Sequence, residues 1–392
     1  MFALNNIKVL ALESGISGPL CTRMLGDLGA DVVKVEQPDV GDVNRHWDTA
    51  VDGESSAHVW ANRNKQSLEL DLKSEMGREI FLDLANTADV VVQNFSPGIV
   101  EDLSIEYDEV KAVNEDIIYL NISGYGRSGP YRDRKAYDLV MQGETGLILL
   151  TGTPESPSKI PLSVCDINAA MYGTIGIITS LFHRERYGEG QELDVTMFGG
   201  ILSWIGYFPI KYMENGEIPE RVGMRHHLLV PYGPYKTADD QFINFAVLSD
   251  SDWGTFCTEV IDRPELLEED RFDTNEKRVD NRNDLESILE DLLASEQKSY
   301  WVTRLQDAQL PWGEVHQLDD VINHPQTEHL ELIQEIEGSQ GSIRVIDNPL
   351  DMETLDVKRE SMPALGEHST EILQELGYNA NEIADLKERN II

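Results

Sequence analysis

One carboxylate stands where the apolar pattern asks for no charge: Asp166, in the run KIPLSVCDINAAMYG (159–173). It follows an apolar, strand-like stretch and opens a run of small, helix-favouring residues. Asp is a favoured N-cap, accepting from free backbone amides where the helix dipole favours its charge. The same place suits a nucleophile, because a compact carboxylate at the head of a helix points away from the sheet. Small residues at Ala169, Ala170, Gly173 and Gly176 would let another surface or a ligand approach that helix closely. Cap and nucleophile both remain open on this pattern alone. Cys165 is the rival nucleophile, yet none of His183, His226 and His227 stands in a recognisable pairing with it. A buried, neutral thiol is expected there.

Two more stretches carry chemistry-bearing residues. NFSPG (94–98) ends one apolar strand and SGYGRSGPYRDRKAYD (123–138) follows another. Flexible backbone, cations and a flat aromatic suit a phosphorylated nucleotide, although an ordinary surface loop has a similar composition. GMRHH (223–227) is a cationic cluster in an acidic chain. It reads equally as a carboxylate-recognising site or as a neutralised surface patch. Adjacent histidines are poor metal-ligand spacing, and neither HExxH nor DxDxDG occurs, so no metal is expected. Cys21, Cys165 and Cys257 are far apart without a CxxC, which suggests neither a disulfide framework nor zinc. GGILSWIGYF (199–208) reads as a buried helix without chemistry.

The elements that must position these residues alternate. IKVLALE, DVVKVE, DVVVQNF and IIYLNISGYG read as strands, and SGPLCTRMLGDLG, SEMGREIFLDLANTA and YDEVKAVNED as helices between them. Near-continuous apolar strands separated by helices predict an α/β fold, an open doubly wound parallel sheet covered on both faces. NFSPG and the RKAYD stretch then fall at carboxyl ends of strands, where such sheets place ligands. A dinucleotide site is disfavoured: Gly15 and Gly18 do not make GxGxxG, although Glu36 ends the second strand. After about residue 210, two short strands surround a turn at Asp239–Asp240. Helices follow at 252–261, 281–295 and 298–309, then a connector (311–326), a strand-like GSIRVIDNPL and two short helices. The expected organisation is a large domain over 1–200, a linker over 201–224, a smaller α+β domain over 225–325 and a return to the large domain over 326–392.

A chain of 392 residues is long for one core, which agrees with two domains. Its 71 acidic against 32 basic residues give a net charge of −39. That argues against nucleic acid as a partner, since phosphate contacts need a basic surface. The carboxylates are spread along the chain, which excludes an acidic tail and fits a salt-loving organism, where concentrated ions screen self-repulsion. The N-terminal stretch lacks a basic segment followed by a long apolar one. The apolar windows GTIGIITSLF and MFGGILSWIGYFPI are too short to span a bilayer. A cytoplasmic protein without a membrane partner is expected.

Seven segments together resemble one family, the class III CoA-transferases, typified by formyl-CoA and carnitine CoA-transferases. They are SGPLCTRMLGDLGADVVKVEQPDVGDVNR, NRNKQSLELDLKSEMGREI, VVVQNFSPGIVEDL, NISGYGRSGPYRDRKAYDLVMQGETGL, VCDINAAMYGTIGIITSLFHRERYGEGQELDVTM, PYGPYKTADDQF and ALGEHSTEILQELGY. The resemblance covers essentially the whole chain. It implies that Asp166 attacks an acyl-CoA thioester, giving a mixed anhydride and then an aspartyl-CoA thioester from which an acceptor acid collects CoA. It implies CoA as a substrate, with no prosthetic group. The CoA contacts it implies are Ile16 and Ser17, then Leu70, Asp71, Leu72 and Lys73, then Asn94, Phe95 and Ser96, and lastly Lys135, Ala136, Tyr137 and Asp138. Gln37 and Asp102 stand where many members carry a basic residue, so Arg45 or Arg63 is expected to supply charge instead. The glycine-rich lid of the family has no counterpart in RVGMRHHLLVPYG. An intertwined homodimer is also implied. The acid pair read from this resemblance is succinyl-CoA and mesaconate or a similar dicarboxylate, with Arg225, His226 and His227 as candidates for the second carboxylate. An intramolecular mesaconyl-CoA transferase, an acyl-CoA racemase and a non-catalytic CoA-binding protein are the alternatives.

Overall fold

The computed structural model describes residues 1–338 and 341–392, which divide into two compact units. The first comprises Met1–Thr145, Ile160–Pro209 and Pro325–Ile392, and the second Gly146–Lys159 and Ile210–His324. Residues 146–159, expected within the large domain, thus group with the second unit.

The first unit is built on six parallel strands: β1 (Lys8–Leu12), β2 (Asp31–Glu36), β3 (Lys65–Glu69), β4 (Val90–Gln93), β5 (Ile118–Ser123) and β6 (Gln191–Thr196). Their order is β3-β2-β1-β4-β5-β6, so the chain reverses direction across the sheet between β1 and β4. This is the expected doubly wound α/β sheet, and its switch point is where such sheets open a crevice. Helices α1 (Ser17–Asp27), α2 (Ser56–Asn62), α3 (Glu75–Ala85), α4 (Ile99–Asp102), α5 (Tyr107–Val113) and α6 (Asp138–Glu144) follow in chain order. After the short α7 (Leu147–Leu150) of the second unit come α8 (Val164–Tyr187) and α9 (Met197–Trp204), then α10 (Tyr207–Asn215), which belongs from Ile210 onward to the second unit. An antiparallel hairpin of Ile333–Glu337 and Ser342–Ile346 and two C-terminal helices complete the first unit.

Two strands of the six-stranded sheet escaped the sequence reading. In β3 (KQSLE), Lys65 is buried, and its ammonium donates to Glu13 at 2.6 Å and to the Pro19 carbonyl at 2.8 Å. Its neighbour Lys34 on β2 is fully buried between Asp42 at 2.5 Å and the Asn62 amide oxygen at 2.9 Å. Buried charges of this kind persist only when paired, and pairing across strands is invisible to a hydropathy pattern. In β6 (QELDVT), the edge strand beside β5, no residue is fully buried.

Helix α8 runs 24 residues, longer than the apolar window GTIGIITSLF within it. Among the described residues it is the helix long and apolar enough to cross a membrane by length and composition, and half of that stretch is buried in the fold. It packs on α1 and on β5: a Cβ at Gly173 would lie 2.9 Å from Leu120 Cδ2 and 3.1 Å from Cys21 Sγ. The small residues Ala169, Ala170 and Gly173 therefore meet protein rather than a ligand. Helix α9 is only partly covered, with Leu202 and Trp204 exposed.

The second unit has its own antiparallel sheet, β7 (Tyr232–Lys236), β8 (Phe242–Ala246) and β9 (Trp312–Glu314). Tyr235, Phe245, Trp253 and Phe256 stack in its core, with Leu285, Leu289 and Trp301 from the helices. The segment read as a connector contributes β9 and a short helix, Leu318–Ile322.

Candidate active site

Asp166 is the third residue of α8 and is partly buried. No capping hydrogen bond comes from the Ser163 side chain. Instead Asp138, the first residue of α6, fixes this helix end: its Oδ1 accepts the N–H of Cys165 at 2.9 Å. The other oxygen of Asp138 accepts from Gln142 Nε2 at 2.7 Å. Fully buried Gln142 also donates to the carbonyls of Ile160 and Leu162 and accepts the Ile160 N–H at 2.9 Å, so it ties the chain entering α8 to α6.

Across from Asp166 lies the start of α1. The hydroxyl and the backbone N–H of Ser17 favour the charge of the Asp166 carboxylate. Burial and the neighbouring Asp138 carboxylate oppose that charge more strongly, and the Asp166 carboxyl is pushed up from its ordinary 3.8 to about 7. Burial, followed by Asp138, also drives the Cys165 thiol far above its ordinary value, so it stays neutral. Of the two adjacent candidates, only Asp166 is poised to ionise near neutrality.

The turn that presents Ser17 is held from two sides. Asp42 Oδ1 accepts from the Ser14 hydroxyl at 3.0 Å and the Gly15 N–H at 2.9 Å, and its Oδ2 takes the Lys34 ammonium. Asn94, just past β4, accepts the Ser14 N–H at 2.9 Å and donates to the Ser14 carbonyl at 2.8 Å and to Ser17 Oγ at 3.0 Å. Gly18 is required by this clamp, since a Cβ there would lie 2.8 Å from Glu13 Cβ and 3.0 Å from Asn94 Cγ.

A cavity of about 870 Å³ opens at the carboxyl ends of β1, β2, β3 and β4. Its lining includes Ser14, Gln37, Phe95, Ser96, Asp102 and the run Leu70, Asp71, Leu72 and Lys73. Six of the thirteen anticipated CoA contacts thus share one wall. Ser17 and Asn94 do not line it: Ser17 is buried against Asp166, and both amide hydrogens of Asn94 are spent on the turn. Ile16 is buried at the head of α1. Lys135 and Tyr137 are exposed, Ala136 packs on Gly124, and Asp138 belongs to the neighbourhood of Asp166.

The expected substitute cations are not available. Arg45 forms a two-pronged pair with Glu36 at 2.8 and 2.7 Å and donates to the Pro363 carbonyl. Arg63 is buried and pairs in the same way with Asp27, both bonds at 2.9 Å. Burial raises the Glu36 carboxyl, but Arg45, Lys34 and Ser67 outweigh it and hold it at about 2. Among the described residues Lys73 and Arg78 line the cavity, and Arg78 is itself paired with Glu109 at 2.9 Å and donates to the Ser104 carbonyl at 2.9 Å. Arg78 was missed because its position inside helix α3 reads as an ordinary solvent-facing charge.

In the second unit, Arg225 is likewise engaged. It pairs with Glu286 at 2.8 Å and Glu290 at 3.0 Å, donates to the Pro234 carbonyl, and lies 4.0 Å over the Tyr235 ring. The His226 ring stacks on Tyr232 at 4.8 Å, and His227 Nε2 lies 3.1 Å from the Glu220 carbonyl oxygen. Burial, with Arg282 nearby, lowers the pKa of both imidazoles, so they are neutral at pH 7. The cluster is a folded charge network rather than a free cationic patch for a carboxylate. Among the described residues no group of His, Cys, Asp or Glu has metal-site geometry.

Comparison with known proteins places these features in context. The chain is 34% identical to a succinyl-CoA:mesaconate CoA-transferase of Haloarcula hispanica, over 96% of this chain and 97% of that protein. It is 31% identical to human succinyl-CoA:glutarate CoA-transferase, over 99% of this chain and 90% of that protein. The crystal structure of a CAIB/BAIF family protein from Brucella suis superposes with a TM-score of 0.83 at 32% identity, covering 96% of this chain and 99% of that one. The family model for CoA-transferase family III matches residues 4–369. The chain therefore belongs to CoA-transferase family III and is an enzyme that transfers CoA.

Proposed function

We propose that the enzyme moves CoA from succinyl-CoA to mesaconate or a similar dicarboxylate, with Asp166 as the nucleophile. The Asp166 carboxylate attacks the thioester carbonyl; the carbon–sulfur bond breaks and CoA leaves as thiolate, giving a mixed anhydride. The thiolate attacks the aspartyl carbonyl and releases succinate, leaving CoA on Asp166 as a thioester. The acceptor carboxylate attacks that thioester in turn, and a second anhydride resolves to the new acyl-CoA and free Asp166. Each step is an acyl transfer that needs no external oxidant or metal.

The observation that carries this reading is the setting of Asp166: raised to about 7, supported by Ser17 and crowded by Asp138. A carboxylate destabilised in this way is a better nucleophile than a solvated one, yet ionises near neutral pH. The cavity lined by the 70–73 run and Phe95–Ser96 supports a CoA-sized ligand on the same side of the sheet. The dicarboxylate preference rests on the relatives, whose names pair CoA with mesaconate, glutarate, oxalate and D-citramalate.

Two wider features belong to the proposal. Met171, Ile175, Ile178 and Phe182 form an exposed apolar stripe on α8 at helical spacing, a surface suited to a second copy in a homodimer. The buried carboxylates are Glu13, Asp27, Glu36, Asp42 and Glu286, matched in number by buried Arg23, Lys34, Arg63, Lys65 and Arg278 among the described residues. The interior is thus neutral and the net −39 lies at the surface, which supports a salt-adapted enzyme.

The test is direct. Asp166→Ala should abolish transfer, and hydroxylamine should trap CoA-loaded wild type as a hydroxamate at Asp166. Unchanged turnover in the variant refutes the mechanism. Incubation with succinyl-CoA and a panel of acids, read as new thioesters by mass, decides the acceptor; monocarboxylates alone reacting would overturn the dicarboxylate reading.

A further inference from the structure

Helix α8 starts without a cap from the residue before it, since the Ser163 side chain makes no capping hydrogen bond. The cap comes from another helix: Asp138 Oδ1 accepts the N–H of Cys165 at 2.9 Å. Cys165 immediately precedes Asp166, so whatever fixes this contact also fixes the backbone that carries Asp166. A carboxylate turns about its own side-chain bonds unless its second oxygen is also held. Gln142 holds it. One turn further along α6, on the same face of that helix, its Nε2 donates to Asp138 Oδ2 at 2.7 Å.

Gln142 is in turn held by the chain that leads into α8. Its Oε1 accepts the Ile160 N–H at 2.9 Å, and its Nε2 also donates to the carbonyls of Ile160 at 3.1 Å and Leu162 at 3.3 Å. Exchanging the two ends of the amide would set a donor against the Ile160 N–H and an oxygen against three acceptors. The side chain is fully buried and does not line the cavity of about 870 Å³. One amide therefore grips both approaches to Asp166: the segment 160–162 directly, and the first turn of α8 through Asp138.

We infer that Gln142 is a positioning residue for CoA transfer: it locks Asp138 and the 160–162 segment against the head of α8 and so fixes where Asp166 stands. A buried amide with both ends engaged holds one arrangement, because each lost partner would leave a buried polar group unpaired. Asp166 needs that fixity. Its oxygen must meet the thioester carbonyl, and its own carbonyl carbon must then meet the CoA thiolate and the acceptor carboxylate from the same place. The task is distinct from touching CoA, and the inference rests on the reading of Asp166 as nucleophile.

The experiment is single-turnover release of CoA, measured against succinyl-CoA concentration for wild type, Gln142→Met and Gln142→Glu. Methionine keeps the length and removes the hydrogen bonds. Glutamate keeps the shape and the acceptor for the Ile160 N–H, but sets an oxygen against Asp138 and both carbonyls. Both variants should lower the saturating rate about 10- to 100-fold, the cost of a nucleophile displaced by about 1 Å. The half-saturating concentration should stay within about twofold of wild type. Rates are counted per folded molecule, with the native fraction taken from urea unfolding in the same buffer. An undiminished saturating rate in both variants overturns the inference. So does a rise in half-saturating concentration alone, which would make Gln142 a support of the CoA cavity. Should neither variant fold, the wild type decides by hydrogen exchange. Its Ile160 and Cys165 amides, bonded to side chains of α6, should exchange at least about 100-fold more slowly than in an unstructured chain. Exchange of both at the unstructured rate overturns the clamp. Asp166→Ala separates the two readings: residual turnover there removes the nucleophile, whereas an inactive Asp166→Ala beside undiminished Gln142 variants removes only the clamp.

Discussion

Replacing Asp166 by Asn should make the protein more stable at alkaline pH while abolishing transfer. The carboxyl titrates at about 7 instead of 3.8, because burial and Asp138 oppose its charge more than Ser17 supports it. A carboxyl whose folded value lies above its unfolded value binds protons more tightly in the folded state. Its cost is absent well below the unfolded value, grows as pH rises, and reaches its ceiling above about pH 7. A displacement of about three units corresponds to a ceiling of about 4 kcal/mol, of which roughly 3 kcal/mol is added between pH 5 and pH 8. Asparagine keeps the shape but carries no charge. The assay is urea unfolding of both proteins across that range at constant high salt, followed by tryptophan fluorescence. The gap between variant and wild type should widen with pH, by up to that amount. A gap independent of pH, or a wild type more stable than the variant at about pH 8, refutes the account of Asp166 as a destabilised nucleophile.

The same displacement predicts the activity profile. Transfer should fall below about pH 7 with a slope of one proton, and Asp138→Asn should move that limb to lower pH, because a negative neighbour is lost while Oδ1 still accepts the Cys165 N–H; a limb left in place argues against Asp138 as a cause. Gly77→Ala should raise KM for acyl-CoA more than it lowers kcat, since a Cβ there would sit 2.0 Å from the Asp71 carbonyl oxygen and displace the 70–73 wall of the cavity. Steady-state kinetics check this, with a stability loss of about 1–3 kcal/mol expected from overpacking. Dialysis from molar to low salt should lower both the melting temperature and the activity, reversibly on adding salt back; an unchanged melting curve and full activity would remove the salt-adapted reading of the −39 surface.

Much of this architecture is legible in the chain because it is local or periodic. Four apolar strands with helices between them are enough to imply a parallel sheet, and the sheet implies that the turn at 14–17 and the stretch at 94–96 lie at one edge. Asp166 at the head of a helix is likewise a local fact. Whether it is also reactive was not, since cap and nucleophile look identical in a string of residues. Tertiary structure adds its surroundings, with burial and Asp138 raising the carboxyl and Ser17 favouring its charge, and these support the proposed role as nucleophile. Packing also settled what the small residues of α8 face, and hid Lys65 in a paired charge that made β3 look unlike a buried strand. Arg45, Arg63 and Arg225 advertise free cations in the sequence, yet each is consumed by a carboxylate. Hydropathy and spacing report what a residue is and where along the chain it stands. Which charge neutralises which, and which hydroxyl faces which carboxylate, depends on contacts between residues dozens of positions apart.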